Sequence, residues 1–483
     1  MRNPLDGVPR RLVLVGLAVL LALTGIGVAV AARSGGKPAA TASPEASPSV
    51  APSGGDSSGT AAATESGSSA TSASESSSAS VEPSASPGAV GSPSQAAEAA
   101  GAVIRPEFFG LHIHDPVGHS PSVAYGSVRL WDSGVTWKQL EPSRDSWQFG
   151  ALDAQVAHAN ALHKDIIMVL GVTPQWAASR PGEDANYGAG SASTPSDLAD
   201  WTDYVRKLAQ RYQGKITKWE VWNEPNAVLF WNDGAAAMVP LAKSAYEVLK
   251  AADPGNVVLS PGIIVRTENS PQWLDDYLAA GGGQYADVIA AHFYVKTGER
   301  PEHLRPSLER IQAIMTARGQ ADKPLWNTES SFGQVRSPTE LFNEPIASAY
   351  VARALALFAG HHVQRAYWYA WDDHGFTGLY LTQPNGQPTE AGRVFGLMSK
   401  WLIGARPDTC ERLAAGKSEG AFACYFSRGD ERFQIVWHPG TTVQYDVPAG
   451  FRTVRRLDGS QASLTGPTVT VNPVPVLITT AAS

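Results

Sequence analysis

Two hydrophobic periodicities divide the chain. From residue 102 to 403, short apolar runs alternate with stretches whose apolar residues recur every three or four positions, and beyond 404 only the short runs remain. Eight runs in the first region read as strands: 109–114, 127–131, 165–170, 219–224, 257–260, 288–294, 325–329 and 366–371. Helical spacing fills most of the gaps at 152–162, 196–212, 237–252, 271–280, 304–317 and 345–359, with 391–402 closing the series and Ser196 standing as an N-cap. Strand and helix alternating in this way predict an α/β fold, a (β/α)8 TIM barrel over 102–403. The runs at 421–427, 432–437, 442–447, 451–457 and 468–479, separated by Gly, Pro and Asp turns, predict a small C-terminal antiparallel β-sandwich domain over 404–483.

The first hundred residues have neither period. Arg2, Arg10 and Arg11 precede an uncharged run from 12 to 32 that is long enough to cross a bilayer. We read 1–32 as a membrane anchor; Ala29-Val30-Ala31 offers a small-x-small cleavage site for the alternative, a removed signal segment. Either way the rest of the chain is expected outside the cytoplasm, touching the membrane through this segment only. Residues 33–101 are mostly Ser, Ala, Thr, Pro and Gly, too poor in large apolar groups to offset ordering entropy, and read as a disordered linker.

Charge and composition narrow the partners. The net charge of −7 comes without a basic block, which argues against nucleic acid. Fourteen Trp and fourteen Tyr supply aromatic faces with polar tips, suited to sugar surfaces that show C–H patches between hydroxyls. The two cysteines, Cys410 and Cys424, are expected to pair in an oxidising compartment, a bond worth about 2–3 kcal/mol. No sequence signal bears on oligomeric state.

Alternation along the strands assigns faces, because the outer face of a barrel must meet helices and be apolar. Leu111 and Ile113 point out, so His112 and His114 point in; Val128 and Leu130 point out and Arg129 in; Ile289, Ala291 and Phe293 point out, leaving His292 and Tyr294 inward. Strict alternation groups Glu220, Trp222 and Glu224 against Trp219, Val221 and Asn223, and groups Leu325, Asn327 and Glu329. It also brings Tyr367, Tyr369 and Trp371 to one side, with Trp371 at the mouth. Pro225 ends the fourth strand at Glu224, and Glu329 ends the seventh. Two carboxyl groups about 5–5.5 Å apart can cleave a glycosidic bond by double displacement, one protonated at the leaving oxygen and one ionised at the anomeric carbon.

The same residues carry a resemblance. WNEPN at 222–226, WNTE at 326–329, AHFY at 291–294 and RLW at 129–131 resemble the retaining glycoside hydrolases of the barrel superfamily with catalytic glutamates on strands four and seven. WEVWNEPNAVLFW at 219–231 is most similar to glycoside hydrolase family 39. The resemblance implies Glu224 as acid/base and Glu329 as nucleophile. It implies that Asn223 bonds the hydroxyl beside the anomeric carbon, that Arg129 and Tyr294 orient Glu329, that His114 and His292 line the subsite, and that Trp371 offers a stacking floor. It implies a polysaccharide or oligosaccharide substrate and no cofactor. The GLHIHD opening at 110–115 and the Gly/Ser/Ala-rich loop at 180–194 depart from the xylosidase members of that family.

Other readings stay open. Glu268, Glu299 or Asp372 are alternatives for the second carboxylate, and Glu220 reads as a structural partner of Arg129. His112, His114, Asp115 and His119 resemble a metal cluster, but no further ligands recur at a spacing such as HExxH, so no metal is expected. A barrel that binds a glycan without cutting it, and a metal-dependent hydrolase, are the alternatives to a glycosidase.

Overall fold

The computed structural model describes residues 102–266, 270–296, 298–332, 344–372 and 379–482. The expected anchor at 1–32, the linker at 33–101 and Glu268 lie outside the described residues. No helix among those described is long and apolar enough to cross a membrane.

Nine strands form the central sheet: β1 (Phe109–His112), β2 (Ser127–Leu130), β3 (Asp165–Leu170), β4 (Lys218–Val221), β5 (Val257–Leu259), β6 (Ile263–Ile264), β7 (Ile289–His292), β8 (Leu325–Ser330) and β9 (Arg365–Trp368). They run in the order β5-β4-β3-β2-β1-β9-β8-β7-β6, and their ladders are parallel. Leu259 bridges Val288 in parallel, so the two edges meet and the sheet closes on itself. Eight of these strands are the expected ones; β6 is an addition. Pro261 has no N–H to continue the ladder after β5, and the chain resumes two residues later beside β7.

The expected helices appear as Gly150–Ala161, Leu198–Arg211, Gly234–Ala252, Gln272–Ala279, Leu304–Ala317, Glu344–Gly360 and Glu390–Leu402. The N-cap of the second is Asp197, whose carboxylate accepts from Ala199 N at 2.8 Å, while Ser196 Oγ donates to the carbonyls of Ala177 and Ala178 instead. Leu111, Ile113, Val128, Leu130, Ile289, Ala291 and Phe293 pack outward into the layer shared with the helices, as alternation requires. Ile167, Val169, Val257, Leu259, Ala290, Trp326 and Tyr367 fill the barrel interior. That apolar filling leaves the interior at the carboxyl ends of the strands to polar side chains.

After the last barrel helix, six antiparallel strands run in the order β10 (Arg406–Arg412), β11 (Phe422–Arg428), β12 (Glu431–Trp437), β17 (Val476–Thr479), β14 (Thr453–Arg456) and β15 (Gln461–Ser463). A second sheet pairs β13 (Val443–Asp446) with β16 (Thr468–Val471), and Tyr445 and Val471 meet Ala423, Val436, Val454 and Ile478 between the sheets. The single strand expected at 468–479 is thus two, because Pro473 and Pro475 interrupt it and send its halves to different sheets. Cys410 and Cys424 are joined, as expected, across the β10–β11 ladder. Their bond packs on the end of the barrel helix Glu344–Gly360, where a Cβ on Gly360 would sit 2.5 Å from that of Cys410. Half-buried Glu302 of the barrel accepts from Trp437 Nε1 (2.6 Å) and Arg353 Nη1 (3.3 Å), and Arg353 Nε donates to Pro473 O (2.9 Å).

Candidate active site

The ends of β4 and β8 depart from alternation, and both departures turn carboxylates inward. Beyond Val221 the backbone enters the left-handed region at Trp222 (φ 72°) and again at Glu224 (φ 48°). The expected grouping of Trp222 with Glu220 and Glu224 is therefore corrected. The Trp222 indole turns outward against Trp231, ring centroids 4.9 Å apart, and donates to Phe230 O, while Asn223 and Glu224 both face the barrel axis. On β8, His292 pairs with Glu329 although Ala291 pairs with Asn327, so Thr328 is the extra residue of a bulge. Leu325 and Asn327 stay outward and Glu329 does not share their face; Thr328 and Glu329 both reach the interior.

Arg129 on β2 is the hub. Buried completely, it donates from Nε to Glu220 Oε2 (2.7 Å), from Nη1 to Glu329 Oε2 (2.8 Å) and from Nη2 to Asn223 Oδ1 (2.7 Å) and Glu220 Oε1 (3.3 Å). Tyr294 Oη donates to the other Glu329 oxygen at 2.6 Å, so each oxygen of this carboxylate has a donor. His292 Nδ1 lies 2.9 Å from Glu224 Oε1 and 3.9 Å from Glu329 Oε2. One oxygen of Glu224, one of Glu329 and a ring nitrogen of His292 all lie within 4.8 Å of one another. Gly262 makes room for this: a Cβ there would meet Glu220 Oε1 at 2.2 Å and His292 Nε2 at 2.5 Å.

The electrostatics separate the two glutamates. Burial and the neighbouring charge of Glu329 raise Glu224 above the usual carboxylate range. Burial alone would lower His292, but Glu329, Glu220 and Glu224 outweigh it and lift the imidazole to about 9. Both shifts run the same way, toward the protonated form of each group. Glu220 is held low because Arg129 and His292 outweigh its own burial, and the Tyr294 phenol is pushed well above its ordinary value by burial and by Glu329.

The other expected residues are placed less uniformly. His114 is half-buried at the end of β1, with Nδ1 3.1 Å from Asp372 Oδ1 and Nε2 3.1 Å from Tyr369 Oη. Trp371 is not at an open floor: it is 1% exposed within the outer core, its N–H bonded to His112 O, and the ring set among the polar groups is Tyr369. Asp372 accepts from the backbone N–H groups of His114 and Asp115 and lies against the rings of His114 and His119, which commits it to holding the β1 loop. Glu299 accepts from Lys296 N in the loop after β7. Two trios, Glu224-His292-Glu329 and His112-His114-Asp132, have ligand atoms close enough for a metal ion, and most of those atoms already bond to other side chains. A cavity of about 680 Å³ lies at the opposite end of the barrel beside Asp165, Lys218 and Arg365 and is lined by neither glutamate.

Three residues around the glutamate cluster went unread in the sequence. Asp132, at the end of β2, accepts from Tyr187 Oη at 2.6 Å and Tyr369 Oη at 3.3 Å, and Thr328 Oγ1 donates to Glu220 Oε1 at 3.0 Å. Asp132 was findable by the reasoning that singled out Glu224, a carboxylate at the end of a barrel strand. Tyr187 had no such signal, because it arrives on the loop at 180–194, pinned by Arg180 to Asp233 and by Thr194 N to the same carboxylate.

With this geometry in place, known proteins can be compared. Residues 193–395 match the glycosyl hydrolase catalytic core. The resemblance carried by the WNEPN and WNTE segments is thus shown at the level of that core. A β-xylosidase of Geobacillus stearothermophilus is 25% identical over 248 residues, covering 46% of this chain and 48% of that protein. The chain spans about half or less of the length of the curated relatives it matches. A family 39 glycoside hydrolase from Bacteroides cellulosilyticus superposes with a TM-score of 0.61 at 18% identity, over 78% of this chain and 82% of that one. A family 39 β-xylosidase from Caulobacter crescentus gives 0.55 at 18% identity, over 80% and 98%. These superpositions show a shared fold, trailing β domain included.

Proposed function

We propose that the protein is a retaining glycoside hydrolase that cuts an extracellular or cell-envelope polysaccharide through a covalent glycosyl-enzyme intermediate. The observation that carries this reading is the approach of Glu224 and Glu329 to within 4.8 Å, with one carboxyl group pushed toward its protonated form and the other held by Arg129 and Tyr294. An inverting pair needs a water between its carboxyl groups and stands about 6.5–9.5 Å apart.

In the first step the Glu224 carboxyl proton goes to the leaving glycosidic oxygen, and a Glu329 oxygen forms the bond to the anomeric carbon. Esterification then removes the charge of Glu329, one of the causes holding Glu224 high, so Glu224 falls and can take a proton from water in the second step. Water displaces Glu329 and the anomeric configuration is restored. Asn223, His292 and His114 supply bonds to the sugar; Trp371, buried as it is, has no part in this scheme. The segment at 1–32 supports placement of the enzyme outside the cytoplasm, and the xylosidases and xylanases among its relatives make β-xylosides the first substrates to test. A polysaccharide panel scored by NMR, with Glu224→Gln and Glu329→Gln as controls, tests the reading. A product of inverted configuration, or either variant cleaving at the native rate, would refute it.

A further inference from the structure

A second carboxylate wall borders the pocket, and its chemistry is at odds with a purely structural role. Asp132 sits in the left-handed region (φ 52°), which glycine, asparagine and aspartate enter more readily than other residues. Its oxygens accept one bond each, from Tyr187 and Tyr369, and make no ion pair among the described residues. Tyr187 lies close enough to the catalytic pair for the charges of Glu224 and Glu329 to act on its phenol. Beside Asp132 stands His112, wholly buried and bonded to no side chain; a nitrogen of His112, one of His114 and an oxygen of Asp132 lie within 4.8 Å of one another. Burial of Asp132 outweighs the nearby charges of His114 and Arg129 and raises its carboxyl, so an ionised Asp132 in this setting is unfavourable in the free protein.

Resting on the hydrolase reading above, we propose that Asp132 is a substrate-binding residue that accepts paired hydroxyls of a neutral sugar, so that the glycoside taken here carries free adjacent hydroxyls rather than a carboxylate. Each Asp132 oxygen keeps a lone pair beyond its tyrosine bond, enough for two neighbouring O–H groups. The charge selects: a uronic acid carboxylate in this place would face Asp132, with Asp372 behind His114. Asparagine would suit the free protein better on two counts. It removes a half-buried charge, and it keeps the network whole: its oxygen accepts from Tyr187 and its amide donates to Tyr369, whose hydroxyl turns to His114 Nε2. A charge where the neutral isostere would serve the fold is accounted for by the ligand.

The test compares full-length protein with Asp132→Asn. Thermal unfolding without ligand should show Tm rising by about 2 °C or more. On a Glu329→Gln background, titration with tetrasaccharides of xylose, glucose and glucuronic acid should show a neutral sugar binding, and binding at least about tenfold weaker once Asp132→Asn is added. A fall in Tm, unchanged affinity for the neutral sugar, preference for the glucuronic acid oligomer, or no binding of any of the three would each overturn the proposal. Native-rate turnover by the Glu224→Gln and Glu329→Gln proteins would sink the hydrolase reading instead, and the stability and binding results for Asp132→Asn would still stand or fall by themselves.

Discussion

The two ends of one barrel handle buried charge in opposite ways. At the amino end, Asp165 is bracketed by Lys218 (2.9 Å) and Arg365 (2.6 Å), and Arg365 lies over the Trp326 ring at 4.1 Å. The two cations outweigh the burial of Asp165 and hold it below its ordinary range. At the carboxyl end, Glu220, Glu224 and Glu329 share Arg129 and His292, and Asp132 forms no contact ion pair among the described residues. Strand β4 runs through both, from Lys218 in the first cluster to Glu220 in the second. Three positive-φ residues, Asp132, Trp222 and Glu224, join Val172 at the ends of β2, β3 and β4, all at the carboxyl end. A cluster that neutralises itself holds the barrel together; one left with displaced protons and a strained backbone is suited to chemistry.

The contrast can be broken most forcefully at the carboxyl end. Glu224→Gln should lower kcat on a confirmed glycoside by roughly 10²–10⁴-fold, and Glu329→Gln by at least as much, with circular dichroism unchanged. At the amino end, Asp165→Asn should cost roughly 3 kcal/mol of unfolding free energy in denaturant titration and leave both limbs of the pH–rate profile in place. A shifted profile would mean that the two clusters are coupled through β4. The pH dependence of stability should also divide by end. Asp165, lowered in the folded state, contributes stability that is present above about pH 4 and lost as pH falls through its folded value. His292, raised to about 9, contributes stability that is full below about pH 6.5 and lost as pH rises through 9, a loss that His292→Gln should abolish. The smallest effect is a gain: Glu224 is raised, so its ionisation opposes folding at neutral pH, and Glu224→Gln should raise the denaturant midpoint slightly.

Periodicity alone was enough for the eight strands, the helices between them and the outward faces, since each is a local pattern repeated over several residues. It failed where one residue changes the geometry. The bulge at Thr328 and the left-handed turn at Trp222 shift every later side chain by a face, and nothing in the spacing of WNTE or VWNEP marks them. Glu224 and Glu329 do come together, and it is motif, rather than alternation, that locates them. Trp371 was misplaced for the converse reason: alternation was carried past the end of β9 at Trp368, where the ladder no longer enforces it. Pro473 and Pro475 were visible breakers within 468–479, and reading them as such would have split that strand.

The roles of the two glutamates are separated most directly by the stereochemistry of a rescued reaction. With Glu329 replaced by Gly and azide supplied, NMR of the glycosyl azide should show inverted configuration, because azide attacks from the face that Glu329 occupied, while the native enzyme gives a retained sugar. A glycosyl azide of retained configuration from the Glu329 variant, or an inverted product from the native enzyme, would contradict the assignment of Glu329 as nucleophile and Glu224 as acid.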